Sequence, residues 1–96
     1  MPLYVMIGYD GPGSAELRQT HRPSHLEGLE ALERAGRLRQ AGPMLDDAGQ
    51  PMGSVVFFEA ADLAAARALA ADDPYVTAGV FTRHEVHETK IVLPRT

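Results

Sequence analysis

The order of elements along this chain predicts an α+β fold of ferredoxin-like type: an antiparallel sheet in β-α-β-β-α-β order with both helices on one face. Three observations carry that expectation. Two short runs, residues 3–9 and 54–59, are apolar at odd and even positions alike, as in central strands covered on both sides. Two stretches with helical spacing, about 23–35 and 63–71, separate the strand-like runs. A turn rich in Asp, Gly and Pro at 46–51 joins the second and third strands closely enough for an antiparallel pair.

Leu3, Val5, Ile7 and Tyr9 share one face of the first strand, and Tyr4, Met6 and Gly8 share the other. The run Asp10-Gly11-Pro12-Gly13-Ser14 is a turn; it lacks both the Gly-Lys-Ser/Thr ending of a phosphate loop and the dinucleotide spacing. Ala15–Gln19 is expected to add a short helical turn. The main first helix is expected from Pro23, a residue suited to a first helical position, to Ala35, with Gly36 as its stop. Its apolar stripe is Leu26, Leu29, Leu32 and Ala35, and His25 falls within it.

Arg37–Ala41 opens a second strand, interrupted at Gly42-Pro43 and continued by Met44-Leu45; the proline marks an edge position or a bulge. Ser54–Glu59 is the third strand. Asp62 is an N-cap for a second helix over Leu63–Ala71, whose alanines allow close packing on a sheet. Asp72-Asp73-Pro74 ends that helix, Pro74–Ala78 forms one further turn stopped by Gly79, and Val80–Leu93 is the last strand. His84 and His87 lie on opposite faces of it, and Pro94-Arg95-Thr96 is a tail.

With 96 residues, the expectation is a single domain spanning 1–96. Nine Lys+Arg against 13 Asp+Glu, for a net charge of -4, argue against a nucleic-acid surface. The absence of Cys removes disulfides, thiolate nucleophiles and Cys-based metal sites. No apolar run is long enough to span a bilayer and no signal sequence opens the chain, so no membrane partner and a cytoplasmic location are expected. Strands apolar on both sides leave one sheet face uncovered in a monomer. At roughly 1.5–3 kcal/mol per buried apolar side chain, a homodimer formed face to face is the expected remedy.

Chemistry centres on His25, for which two readings stand open: a general acid or base, or a buried neutral histidine satisfied by backbone or carboxylate. At a helix start the dipole opposes its protonation. His21 lies four residues before it, but two imidazoles without a third ligand fall short of a metal site, and none is expected. Arg22 is an anion clamp or an exposed helix-start residue. Asp72 and Asp73 are turn residues, or one of them orients an imidazole. Tyr75 is a phenolic donor or a cover for the sheet edge, and Gly42-Pro43 is a close-approach point for a ligand or a bulge. Ser14, Ser24 and Ser54 lack the context of an activated nucleophile.

Arg22-Pro23-Ser24-His25, Gly36-Arg37-Leu38 with Ala41-Gly42-Pro43, Asp72-Asp73-Pro74-Tyr75 and Ala78-Gly79-Val80 together resemble the YCII-related (YciI-like) family, and the opening Leu3-Tyr4-Val5 matches as well. The resemblance covers nearly the whole chain. It implies a ferredoxin-like fold, a dimer of the dimeric α+β barrel type, and a site built on a histidine–aspartate pair. By that resemblance the pair is His25 and Asp73, with Arg22, Gly42, Pro43 and Tyr75 as neighbouring substrate-binding positions. It also implies chemistry of the kind some relatives perform on substituted hydroquinones or muconolactone-type compounds, removing chloride or isomerising a ring. The short loop from Asp46 to Met52 departs from the family pattern and alters one wall of the pocket.

The function expected is therefore a lyase or isomerase acting on a small aromatic or lactone-like molecule without a cofactor. His25 moves the proton and Asp73 holds the ring. The alternatives are a non-catalytic module that binds a small ligand, and a purely structural dimer in which His25 contributes stability.

Overall fold

The computed structural model describes residues 1–95; Thr96, the end of the expected tail, lies outside them. The elements are β1 (Leu3–Asp10), α1 (Ser14–Arg34), β2 (Leu38–Leu45), β3 (Pro51–Glu59), α2 (Leu63–Ala71), α3 (Pro74–Thr77) and β4 (Phe81–Thr89). They build an α+β sheet with its helices on one side. All pairings are antiparallel and the strand order is β2-β3-β1-β4, so the two doubly apolar strands occupy the centre.

One part of the expected fold class is overturned. The sheet is open, with β2 and β4 as separate edges, and not the dimeric α+β barrel implied by resemblance. Four strands of eight or nine residues are too few to close around a filled interior. Pro43 on β2 also has no N–H to offer a further strand.

The first helix is longer than expected. It begins at Ser14, directly after Gly13 at φ 75°, and continues through Pro23 to Arg34. The missing N–H of Pro23 leaves the carbonyl of Gln19 without its partner one turn on, and Gln19 is exposed, so water can take that role. His25 consequently sits deep inside a helix rather than at its start, and the opposing field of a helix N-terminus does not reach it. The helix closes on Gly36 at φ 71°. The Gly36 N–H donates to Glu33 O and the Arg37 N–H to Leu32 O, the paired bonds of a Schellman motif.

β2 runs unbroken past Gly42-Pro43 because it is an edge strand, with irregular register at Leu38/Gln40 and Met44/Leu45. The turn beyond it is held by Asp46, whose Oδ1 accepts from the N–H groups of Ala48 and Gln50. β3 starts at Pro51, earlier than the apolar run suggested, because Leu45 pairs with it there. α2 is capped by Asp62, whose Oδ1 accepts from the Ala65 N–H at 2.8 Å. β4 stops at Thr89 because that residue pairs with Leu3 at the start of β1 and no partner strand remains; Ile91, Val92 and Leu93 are exposed.

Register explains which side chains are buried. Tyr4 and Met6 of β1, Val56 and Phe58 of β3 and Val86 of β4 point to the same side and pack with Ala66 and Ala70 of α2 and Tyr75 of α3. Leu17, Leu29 and Leu32 of α1 complete that layer. The opposite face carries Val5, Ile7, Val55 and Phe57, all half-buried. At its β4 side the Tyr9 hydroxyl donates to Glu85 at 3.0 Å, His87 Nε2 lies 3.2 Å from the same carboxylate, and the Arg83 guanidinium covers the Tyr9 ring. No helix among the described residues is long and apolar enough to cross a membrane.

Candidate functional site

His25 is the one buried residue of α1, 7% exposed. Its Nδ1 lies 2.8 Å from Asp73 Oδ1. The same oxygen accepts from the Tyr75 N–H at 2.8 Å, because Asp73 is the N-cap of α3. An ionised carboxylate only accepts, so Nδ1 carries the proton and donates it to Asp73. That tautomer leaves Nε2 with a lone pair. Among the described residues no side chain or backbone group pairs with Nε2, and every fully buried side-chain nitrogen or oxygen does have a partner. Nε2 therefore reaches open space.

The ring is fixed on its flat side as well as at its edge. Tyr75 stacks on it with centroids 3.7 Å apart and an interplanar angle of 5°. Phe81 meets Tyr75 edge-on at 5.8 Å. Phe81 in turn lies over Gly8, where an added Cβ would come within 2.5 Å of the phenyl ring. The glycine in an otherwise bulky strand thus admits the aromatic stack that supports the imidazole. Burial raises the Tyr75 phenol above its ordinary pKa, against the pull of Arg18 and Arg22, so the hydroxyl stays protonated; it donates to the Arg18 carbonyl at 3.3 Å.

Neither Arg18 nor Asp10 stands out in the sequence. Arg18 Nε and Nη2 bind the two oxygens of Asp10 at 2.7 and 2.8 Å, with side chains only 12% and 5% exposed. Nη2 also donates to Gly53 O at 2.9 Å and to Ser54 Oγ at 3.1 Å, and the guanidinium lies 5.1 Å from the Tyr75 ring centroid. The hydrogen bond to Asp10 pushes the Arg18 pKa further up, so the charge is permanent. A signal was available: positions 18, 22, 25 and 29 form one helical stripe once α1 is allowed to start at Ser14.

Two adjoining cavities meet at His25. The smaller, of about 150 Å³, is lined by Met6, Leu29, Leu32, Val56, Phe58 and Ala70 among others, with His25 and Asp73 in its wall. The larger, of about 650 Å³, lies between α1 and the β2–β3 side of the sheet. It is lined by Arg18, Arg22, His25, Gly42, Pro43, Ser54 and Tyr75 among others. All six positions expected from the sequence thus border one or both: Asp73 the smaller, Arg22, Gly42, Pro43 and Tyr75 the larger, and His25 both. Arg22 is exposed, and no ion pair engages it among the described residues. Asp72 lines the smaller cavity without bonding His25. His84 and His87 lie on opposite sheet faces, and neither lines the cavities. Among the described residues no three His, Cys, Asp or Glu side chains converge as a metal-ligand set.

Comparison with known proteins adds to this geometry. Protein YciI of Escherichia coli O6:H1 is 43% identical over 96 residues, covering 94% of this chain and 98% of that protein. An uncharacterized protein of Haemophilus influenzae is 39% identical over 84 residues, covering 81% of this chain and 86% of its own length. Among solved structures, 5-chloro-2-hydroxyhydroquinone dehydrochlorinase from Burkholderia phenoliruptrix AC1100, in complex with 2,5-dihydroxybenzoquinone, is similar with a TM-score of 0.80 and 28% identity. That similarity covers 92% of this chain and 93% of the other. An antibiotic biosynthesis monooxygenase, at 17% identity and a TM-score of 0.58, shares the fold alone. The YCII-related domain matches residues 2–90. Because that match takes in both the helix that carries His25 and the turn that supplies Asp73, the chain belongs to the YCII-related domain family.

Proposed function

We propose that this protein is a small-molecule enzyme whose His25–Asp73 pair moves a proton during an elimination or isomerisation on an aromatic or lactone-like substrate. The observation that carries the reading is the 2.8 Å bond from His25 Nδ1 to Asp73, which leaves a base at Nε2 on the wall of two cavities. Nε2 takes a proton from an acidic O–H or C–H of the substrate. Asp73 offsets the positive charge that then forms on the ring. In an elimination the electron pair left behind expels chloride, for a net loss of HCl. In an isomerisation the same imidazolium returns its proton at another carbon. Arg22 stabilises negative charge on substrate oxygen, Tyr75 backs the cleft as the stacking partner of the imidazole, and Gly42 and Pro43 form the wall that the substrate lies against. Neither reaction requires a cofactor. The structural similarity to a dehydrochlorinase supports an elimination as the first reaction to test.

The test is chloride release from chlorinated hydroxyhydroquinones and isomerisation of muconolactone-type acids by the wild type and by His25→Asn. The expected result is turnover of at least one of these that falls by roughly 10²–10⁴-fold in the variant while melting behaviour is kept. Turnover unchanged in His25→Asn would overturn the reading.

The proposal includes one domain over residues 1–96, a cytoplasmic location, and self-association of two chains. The single domain rests on the one sheet that most of the described residues build, and the location rests on the reading of the sequence alone. Self-association rests on the half-buried Val5, Ile7, Val55 and Phe57, which form an apolar sheet face that no helix among the described residues covers.

A further inference from the structure

Ser54 has no place in the proton-transfer scheme, yet it is 4% exposed, lines the larger cavity and touches a permanent charge. Its oxygen accepts from Arg18 Nη2, which spreads its two N–H groups over Asp10, Gly53 and Ser54. Arginine is never an acceptor, so the serine keeps its own O–H for another partner. Among the described residues none takes that proton. A hydroxyl that accepts from a cation is polarised toward donation. Asp10 holds the cation in place, so the hydroxyl's position does not depend on a ligand.

The smaller cavity shows what lies on the other side of the imidazole. Its walls are almost wholly apolar, and about 150 Å³ is the space that a benzene-sized group occupies in an apolar protein cavity. His25, Leu29 and Val56 line both spaces, so the imidazole stands at the seam between an apolar compartment and a polar one.

We infer that Ser54 is the oxyanion donor of this site. The ligand class it selects is a small molecule with a ring-sized apolar end in the smaller cavity and an acidic oxygen, such as a carboxylate, held in the larger one by Ser54 and Arg22. The inference rests on the reading of this cleft as the substrate site, and it adds the polarity and orientation of the substrate. The bond to be broken or the proton to be moved then lies where the two ends of the molecule join, opposite His25 Nε2. Arg18 and Asp10 are positioning residues that act through Ser54 and Tyr75.

Binding of phenylacetate, acetate and 2-phenylethanol to the full chain, followed by NMR titration, tests this directly. The expected result is that phenylacetate binds about ten-fold or more tightly than either of the other two. Ser54→Ala weakens phenylacetate roughly ten-fold, the loss of one hydrogen bond to a charged group, and leaves 2-phenylethanol nearly unchanged. Ser54→Thr, which keeps the hydroxyl, restores the affinity. Ala70→Leu fills the apolar compartment, weakens both ring-bearing probes and spares acetate. The inference is overturned if phenylacetate shows no binding or no preference over the other two probes, or if Ser54→Ala binds it as well as wild type does. The readout is binding rather than turnover, so its failure is distinguishable from failure of proton transfer at His25.

Discussion

At the scale of single residues, Asp73 Oδ1 does two things with one atom. It accepts the Tyr75 N–H that starts α3 and the Nδ1–H of His25. The local turn and the tautomer of a distant ring are thereby tied together. Part of this is legible in the sequence, because Asp before Pro announces a capped turn and a histidine on an apolar helix stripe needs a partner; the choice of Asp73 over Asp72 came with the family resemblance. The Arg18–Asp10 pair is not. Asp10 read as the start of a Gly/Pro turn, and Arg18 fell in a stretch expected to be only a short helical turn, so nothing aligned it with Arg22 and His25. Ser54 lacks a nucleophile's context in the sequence, and its bond to Arg18 is visible only in the fold. The buried pair carries a prediction. Asp10→Ala leaves the Arg18 cation buried without its partner and is expected to lower stability by about 3 kcal/mol, measured by urea denaturation. A cost near zero would show that the pair is not what holds Arg18 under the Tyr75 ring.

At the scale of elements, the decisive difference between sequence and structure is where α1 begins. Pro23 satisfies the rule for a first helical position, and local chemistry alone favours that start. Tertiary packing reverses the choice. Leu17 packs against the core, and Arg18 reaches Asp10, Gly53 and Ser54 only if residues 14–22 are already helical. The proline is then a tolerated cost. Pro23→Ala restores an N–H for the Gln19 carbonyl and is expected to stabilise the fold. The gain is about 2 kcal/mol, the helix-interior penalty of proline less the entropy it removes from the unfolded chain. Chemical denaturation of the two proteins measures it. Destabilisation by the substitution would mean that the helix is not continuous through this point. The second helix, by contrast, was fully legible: Asp62 is a strong N-cap, the alanine run favours a helix, and Asp72-Asp73-Pro74 ends it.

At the scale of the whole molecule, the described residues place helices over one face of the sheet and leave the other without cover. That asymmetry was readable from β1 and β3, which are apolar at both odd and even positions. The barrel was not readable from the residues. It came with the family resemblance, and the open β2 and β4 edges correct it. The uncovered face combines Val5, Ile7, Val55 and Phe57 with a polar border of Tyr9, Arg83, Glu85 and His87. An apolar centre with a polar rim is the composition of a protein–protein contact. Sedimentation at micromolar concentration is expected to give the mass of two chains for the wild type and of one chain for Phe57→Glu. A wild-type monomer would contradict self-association and leave the His25 site untouched, since both cavities lie on the other side of the sheet.

Everything proposed for the cleft depends on Asp73 fixing His25 as the Nδ1–H tautomer with a free base at Nε2. Nitrogen-15 NMR of the imidazole, recorded where the ring is neutral, reads this directly. The expected spectrum shows a protonated Nδ1 and an unprotonated Nε2 in the wild type, and loss of that preference in Asp73→Ala. A proton on Nε2 in the wild type, or a spectrum indifferent to Asp73, would contradict it.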